Sequence, residues 1–332
     1  MIRLAVLAAA MGVAALPALG DSEAPASSMQ PPGNVGDSDR PVEDSQEITE
    51  NAGNSIDRFF ASELHTTFAE QGNRLRLRLN VDHIEHHGWE TSEEVKINLA
   101  LTDLGKRVRF VANDDDETED PATEYSDEGN DVALRWLGRQ SQKRSLSLDA
   151  GLRIKSGSLD PFIRLNTSIR YPITERWLGQ STNRIYYYSK TGWRNDFRQY
   201  FNRPLSDELL FRSRTRIQYF EEKASNPYLE QKFSLFQSFK ERAAVAYEVL
   251  WRRESREDSV FNRDEITVSP RNDYEKVVLR LRYRRNFWRP WMFIELWPSI
   301  GWAEERDWDR VLGARVRFEV NFGRHKGLKL GE

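Results

Sequence analysis

The chain contains no cysteine. Disulfides, thiolate zinc sites, cysteine nucleophiles and cysteine-linked lipid anchors are therefore excluded. Beyond its first twenty residues it has no apolar run near the roughly 20 residues that a helix needs to span a bilayer. With 30% charged residues and a mean hydropathy of -0.71, it cannot be a helical membrane protein. No glycine-rich phosphate loop occurs, and the basic residues alternate with apolar ones instead of forming a patch, so nucleic-acid binding is not expected. Low hydropathy does not exclude membrane-spanning strands. These need only about 9–11 residues, with every second one apolar.

The N-terminus has the form of an export signal. Met1-Ile2-Arg3 gives a positive start, residues 4–18 are apolar, and Ala18-Leu19-Gly20 is a small-x-small cleavage site that leaves Asp21 first. The alternative, an uncleaved anchor, is disfavoured by the shortness of the apolar stretch. Residues 21–56 hold eight Asp and Glu against one Arg, so the formal charge of -3 leaves residues 57–332 near +3. Residues 21–54 are rich in Pro, Gly, Ser and acids and poor in aromatics; a disordered acidic periplasmic linker is expected. Over residues 55–70, Ile56, Phe59, Phe60, Leu64 and Phe68 recur at helical spacing, which predicts a short amphipathic helix or a frayed lead-in to the first strand.

From Asn73 the period becomes two. Leu75, Leu77, Leu79 and Val81 alternate with Arg74, Arg76, Arg78 and Asn80. The same pattern recurs around Val95–Leu101, Leu146–Ile154, Ile163–Tyr171, Val245–Trp251, Val277–Tyr283 and Leu312–Phe322. Alternation puts one side-chain class on each face of a sheet. An Arg facing lipid at the bilayer midplane costs about 2–4 kcal/mol. Eight or more on that face would exceed the stability of a domain, so they must line an interior or face water. Connections are expected to alternate between short (102–106, 138–144, 204–208, 240–242, 287–290) and long (113–130, 255–272). Trp288 and Trp291 flank one end of a strand pair, and Trp302 and Trp308 the other, as interfacial aromatics do. These features predict an all-β fold: a transmembrane antiparallel up-and-down β-barrel over residues 73–322, of about 14 strands (12–16), with a C-terminal tail at 323–332.

The final run ends on Phe322 and so resembles bacterial outer-membrane barrels, whose last strand alternates up to an aromatic that the barrel-assembly machinery reads. Here residues 323–332 extend past it. The segments Trp288-Arg289-Pro290-Trp291 to Trp302, Glu304-Glu305-Arg306-Asp307 and Arg317-Phe318-Glu319-Val320-Asn321-Phe322-Gly323 are similar to an uncharacterised set of proteobacterial outer-membrane proteins. That resemblance implies fold and outer-membrane location, with lipid and lipopolysaccharide as surroundings. It implies no activity.

The candidate lumen residues are Arg74, Arg76, Arg78, Arg212, Arg214, Arg216, Arg280, Arg282, Arg284, Arg315 and Arg317, with Glu295 and Glu319. Sheet register brings such rows opposite Glu248, Asp149 and Asp82 as well. Two readings follow: a lumen held closed by Arg–carboxylate pairs, or a basic eyelet favouring small anionic solutes. His83, Glu85, His86 and His87 could supply metal ligands, but a strand sends His83 and His86 to opposite faces and a solvated loop is expected. The acidic stretch 114–131 is expected to be a solvated loop, with lipopolysaccharide-bridging cations as the alternative. Ser92 lies near His86 and His87 in sequence, without a hydrolase motif; an outer-membrane hydrolase acting on lipid is the last alternative, and no cofactor or metal is expected.

Overall fold

The computed structural model describes residues 73–101, 107–113, 130–141, 143–155, 157–221, 227–239, 242–256, 272–289 and 291–323. The expected signal, linker and helix at 55–70, the acidic loop and the tail past Gly323 lie outside them.

Fourteen antiparallel strands follow one another in chain order. They are β1 (Arg74–Ile84), β2 (Gly88–Ala100), β3 (Val108–Ala112), β4 (Asn130–Gln140), β5 (Arg144–Lys155), β6 (Ser158–Thr174), β7 (Trp177–Tyr188), β8 (Gly192–Ser206), β9 (Leu209–Phe220), β10 (Tyr228–Phe239), β11 (Ala243–Arg256), β12 (Asn272–Asn286), β13 (Met292–Ala303) and β14 (Arg310–Gly323). Each pairs with its sequence neighbours, and β1 pairs with β14 to close the barrel. The closing ladder runs without a slip from Arg74 opposite Gly323 to Ile84 opposite Gly313. Closure leaves no free sheet edge, so every strand finds backbone partners on both sides. β3 is the shortest strand, with four described pairs to β2.

The alternation is inside-out relative to a soluble sandwich. On β1, Leu77 and Leu79 are 36% and 40% exposed, whereas Arg76 and Arg78 are 5% and 7% exposed. Large apolar side chains form the outer surface on every long strand, among them Leu134, Leu148, Ile163, Tyr247, Leu279 and Phe318. The guanidinium and carboxylate groups are enclosed. This is the facing that a transmembrane barrel requires.

The connections differ in part from expectation. Both long ones do lie at one end, but that end also carries turns of two or three residues: 85–87 between β1 and β2, 156–157 between β5 and β6, and 189–191 between β7 and β8. Tight hairpins need left-handed backbone. Gly157 and Gly192, each at φ 75°, supply it at no Cβ cost. β2 begins at Gly88 and β6 at Ser158, ahead of the alternating runs that start at Val95 and Ile163. In β2 these early residues, Trp89 to Glu93, are exposed whichever way they point, so no burial selects an alternating pattern there.

Candidate functional site: the charged interior

Adjacent strands deliver their inward rows at matching heights. The ladder sets Arg284 opposite Glu295, Arg317 opposite Glu295, and Arg78 opposite Glu319. The result is a network in which each carboxylate serves several cations. Arg78 Nε donates to Glu319 Oε2 at 2.7 Å and its Nη1 to Glu94 Oε2 at 3.1 Å. Arg284 bridges Glu319, at 2.8 Å, and Glu295. Glu295 also faces Arg282 at 3.7 Å and Arg317 at 3.9 Å.

The network continues around the wall. Glu248 faces Arg280, Arg282 and Lys232 at 2.6, 3.5 and 3.6 Å. Glu230 takes Arg214, Arg252 at 3.0 Å and the Tyr228 hydroxyl at 2.5 Å. Asp196 takes Arg216 and Arg198 at 2.7 and 2.8 Å. Asp149 takes Arg135 and Arg164 at 2.8 and 2.7 Å, and Arg164 reaches on to Asp131 at 3.1 Å. Arg315 grips Asp82 with two parallel bonds of 2.6 and 3.0 Å. Charges removed from water are tolerated only when paired and hydrogen-bonded in this way.

A tryptophan sits among these arginines. Trp297, 1% exposed, has the guanidiniums of Arg317, Arg282, Arg280 and Arg315 at 4.3, 4.4, 4.9 and 5.2 Å from its ring centre. Its Nε1 donates to Glu295 Oε2 at 2.7 Å. Apolar side chains fill two further inward positions: Leu210, Phe236, Ala244, Ala246 and Phe293 form one cluster, and Val111, Ala133, Phe162, Tyr186 and Tyr188 another.

All thirteen candidate lumen residues fall on this inward face. Arg74 and Arg76 contact Asn321 at 3.4 and 3.3 Å, and Arg212 donates to Asn202 at 2.6 Å, so these three side chains meet amide oxygens. The sequence reading missed Glu94, Asp131, Asp196, Tyr228, Glu230 and Trp297. Parity would have found Trp297, which stands two residues after Glu295.

The aromatic candidates lie where the strands end. Trp288 is 81% exposed in the β12–β13 turn, with Trp291 beside it, while Trp302 and Trp308 flank the opposite end of β13. Phe322 faces outward and packs against Trp291 with ring centres 5.3 Å apart. His83 stacks on Trp89 at 4.6 Å, and His86 sits in the β1–β2 turn at φ 73°. Among the described residues no group of acidic and histidine side chains is placed to hold a metal ion. Ser92 lies opposite Asn80 and accepts a bond from its Nδ2 at 3.0 Å, not from a histidine.

No family model matches the chain, and no curated protein matches it in sequence. Among solved structures, it is similar to OmpT of Vibrio cholerae lacking loop L8, an outer-membrane protein. That match has TM-score 0.44 and 8% identity, and covers 75% of this chain and 98% of the other. It is similar to a bacterial polysaccharide outer-membrane secretin, with TM-score 0.45 and 11% identity, covering 79% and 100%. OprB of Pseudomonas putida matches with TM-score 0.45 and 10% identity, covering 75% and 94%.

Proposed function

We propose that this protein is a passive outer-membrane channel with a narrow, Arg-lined lumen and a weak preference for anions. One observation carries the reading. Among the buried charged side chains of the described residues, seventeen Arg and one Lys stand against five Asp and four Glu. A wall with a twofold excess of cations, screened poorly in a low-dielectric surround, lowers the energy of a passing anion relative to a cation. Export by the N-terminal signal, insertion directed by Phe322 and a setting of lipid and lipopolysaccharide belong to the same proposal.

Planar bilayers test it. Under a potassium chloride gradient, the purified protein is expected to give stable currents that reverse toward the chloride potential. Arg282→Ser and Arg214→Ser are expected to move that reversal toward zero. Unchanged selectivity in both variants, or reversal toward the potassium potential, overturns the anion reading.

A closed barrel is the second reading, favoured by the packing around Trp297. Arg284 and Glu295 are at 0% exposure and Trp297 at 1%, enclosed by their neighbours. Silence from a protein shown to be folded by heat-modifiability would favour this reading.

A further inference from the structure

The outward face is not apolar everywhere. On β7 to β10, Ser181, Gln199, Thr215 and Gln231 lie directly opposite one another in successive ladders, forming one polar row across four strands. The row is stitched by its own bonds. Ser181 Oγ donates to Gln199 Oε1 at 2.5 Å, Thr215 Oγ1 to Gln231 Oε1 at 2.6 Å, and Gln231 Nε2 to Ser213 Oγ at 2.9 Å. It runs between two aromatic levels: Tyr187 against Trp193 toward one end, and Trp177, Phe211 and Phe233 toward the other. On other strands, outward positions hold Leu77, Leu148, Leu279 and Phe318 instead.

Hydrocarbon offers no hydrogen bonds, so an amide or hydroxyl facing it without a partner is unfavourable. Each glutamine amide has two N–H donors and an oxygen with two lone pairs. Gln199 Nε2 is used within its own wall, donating to the backbone oxygens of Gln180 at 3.2 Å and Tyr200 at 3.0 Å, and the Tyr171 hydroxyl lies 3.5 Å from Ser181 Oγ. The second N–H of Gln231 and the oxygen lone pairs along the row are what a partner could meet. A lipid-facing surface has no use for such a row.

We infer that the outer face of β7–β10 binds a second copy of this chain. The row is uncharged and carries donors and acceptors side by side, so it is complementary to itself across a twofold axis. It offers no cation to a lipid phosphate. Strand spacing and rise give the four-strand face about 19 Å by 30 Å. Two copies would then cover about 1,100 Å², above the roughly 1,000 Å² that a specific interface needs. Polar contacts between membrane segments are individually weak and add along a row. The inference rests on the barrel lying in a bilayer and not on what crosses it, so the bilayer currents do not bear on it.

The absence of native cysteine makes the test clean. Thr215→Cys sits in the row, and Leu279→Cys sits on β12, in the apolar part of the surface. Each variant is cross-linked in intact outer membranes with a short bis-maleimide. The expected result is a band at twice the chain mass from Thr215→Cys, at least tenfold stronger than from Leu279→Cys. No such band, equal bands from both, or a band at another mass would overturn the inference, the last by naming a different partner. In mild detergent, wild type is expected at twice the monomer mass or more. A folded variant carrying Leu at Ser181, Gln199, Thr215 and Gln231 is expected as monomer. A monomeric wild type counts against the inference; if the variant does not fold, the cross-linking result decides.

Discussion

Arg317 lies with its guanidinium 4.3 Å from the ring centre of Trp297, inside the barrel and away from water. Four guanidiniums share the faces of this one ring, whose π electrons attract cations. Replacing it with Ala removes a large buried side chain together with its stacked cations. Trp297→Ala is expected to cost about 3–5 kcal/mol, read as a lower urea midpoint for loss of the heat-modifiable band in vesicles. Trp297→Phe keeps an aromatic face of smaller area and loses the bond to Glu295, and a loss of about 1–2 kcal/mol is expected. Equal losses in the two variants would show that stacking contributes nothing.

Glu319 stands between Arg78 and Arg284, at 2.7 and 2.8 Å. Glu319→Gln keeps the shape and leaves two buried guanidiniums short of a countercharge. Removing one partner of such a network costs about 3–5 kcal/mol. Glu90→Gln, on the exposed part of β2, should stay within about 0.5 kcal/mol. Urea unfolding of the two variants side by side checks the contrast. If Glu319→Gln unfolds like Glu90→Gln, the interior pairs are not structural.

Phe322 closes the outward row of the last strand, against Trp291 and opposite Leu75. Phe322→Ala is expected to reduce the folded band in isolated outer membranes severalfold, while the same variant refolds into detergent in vitro. A wild-type yield in membranes would remove Phe322 as an insertion signal.

The barrel was legible because β1, β5, β12 and β14 alternate cleanly, and the charged parity could not face lipid. The register was legible only as a class of pairing: Arg rows meet acids, but which acid depends on strand stagger that periodicity does not encode. Trp297 was hidden because Phe293 to Pro298 is nearly all apolar on both parities, leaving Glu295 as the sole marker of facing. β8 read poorly for a physical reason. Its inward face mixes Tyr200 with Arg194, Asp196 and Arg198, and its outward face mixes Asn195 and Gln199 with Trp193, Phe197 and Phe201, so neither parity holds a single class. The weakest sequence pattern in the barrel marks the surface that departs from lipid. The short turns at the end carrying the long loops were missed because Gly157 and Gly192 were not weighed as left-handed positions.

The central claim is the facing of the two side-chain classes. Leu79 and Asn80 are neighbours on one strand, 40% and 6% exposed, and differ only in the face they occupy. Leu79→Cys and Asn80→Cys, each labelled with bimane while unfolded and then refolded into vesicles with brominated acyl chains, report that facing directly. Strong quenching at position 79 and little at position 80 is expected. Equal quenching, or the reverse order, would contradict the account.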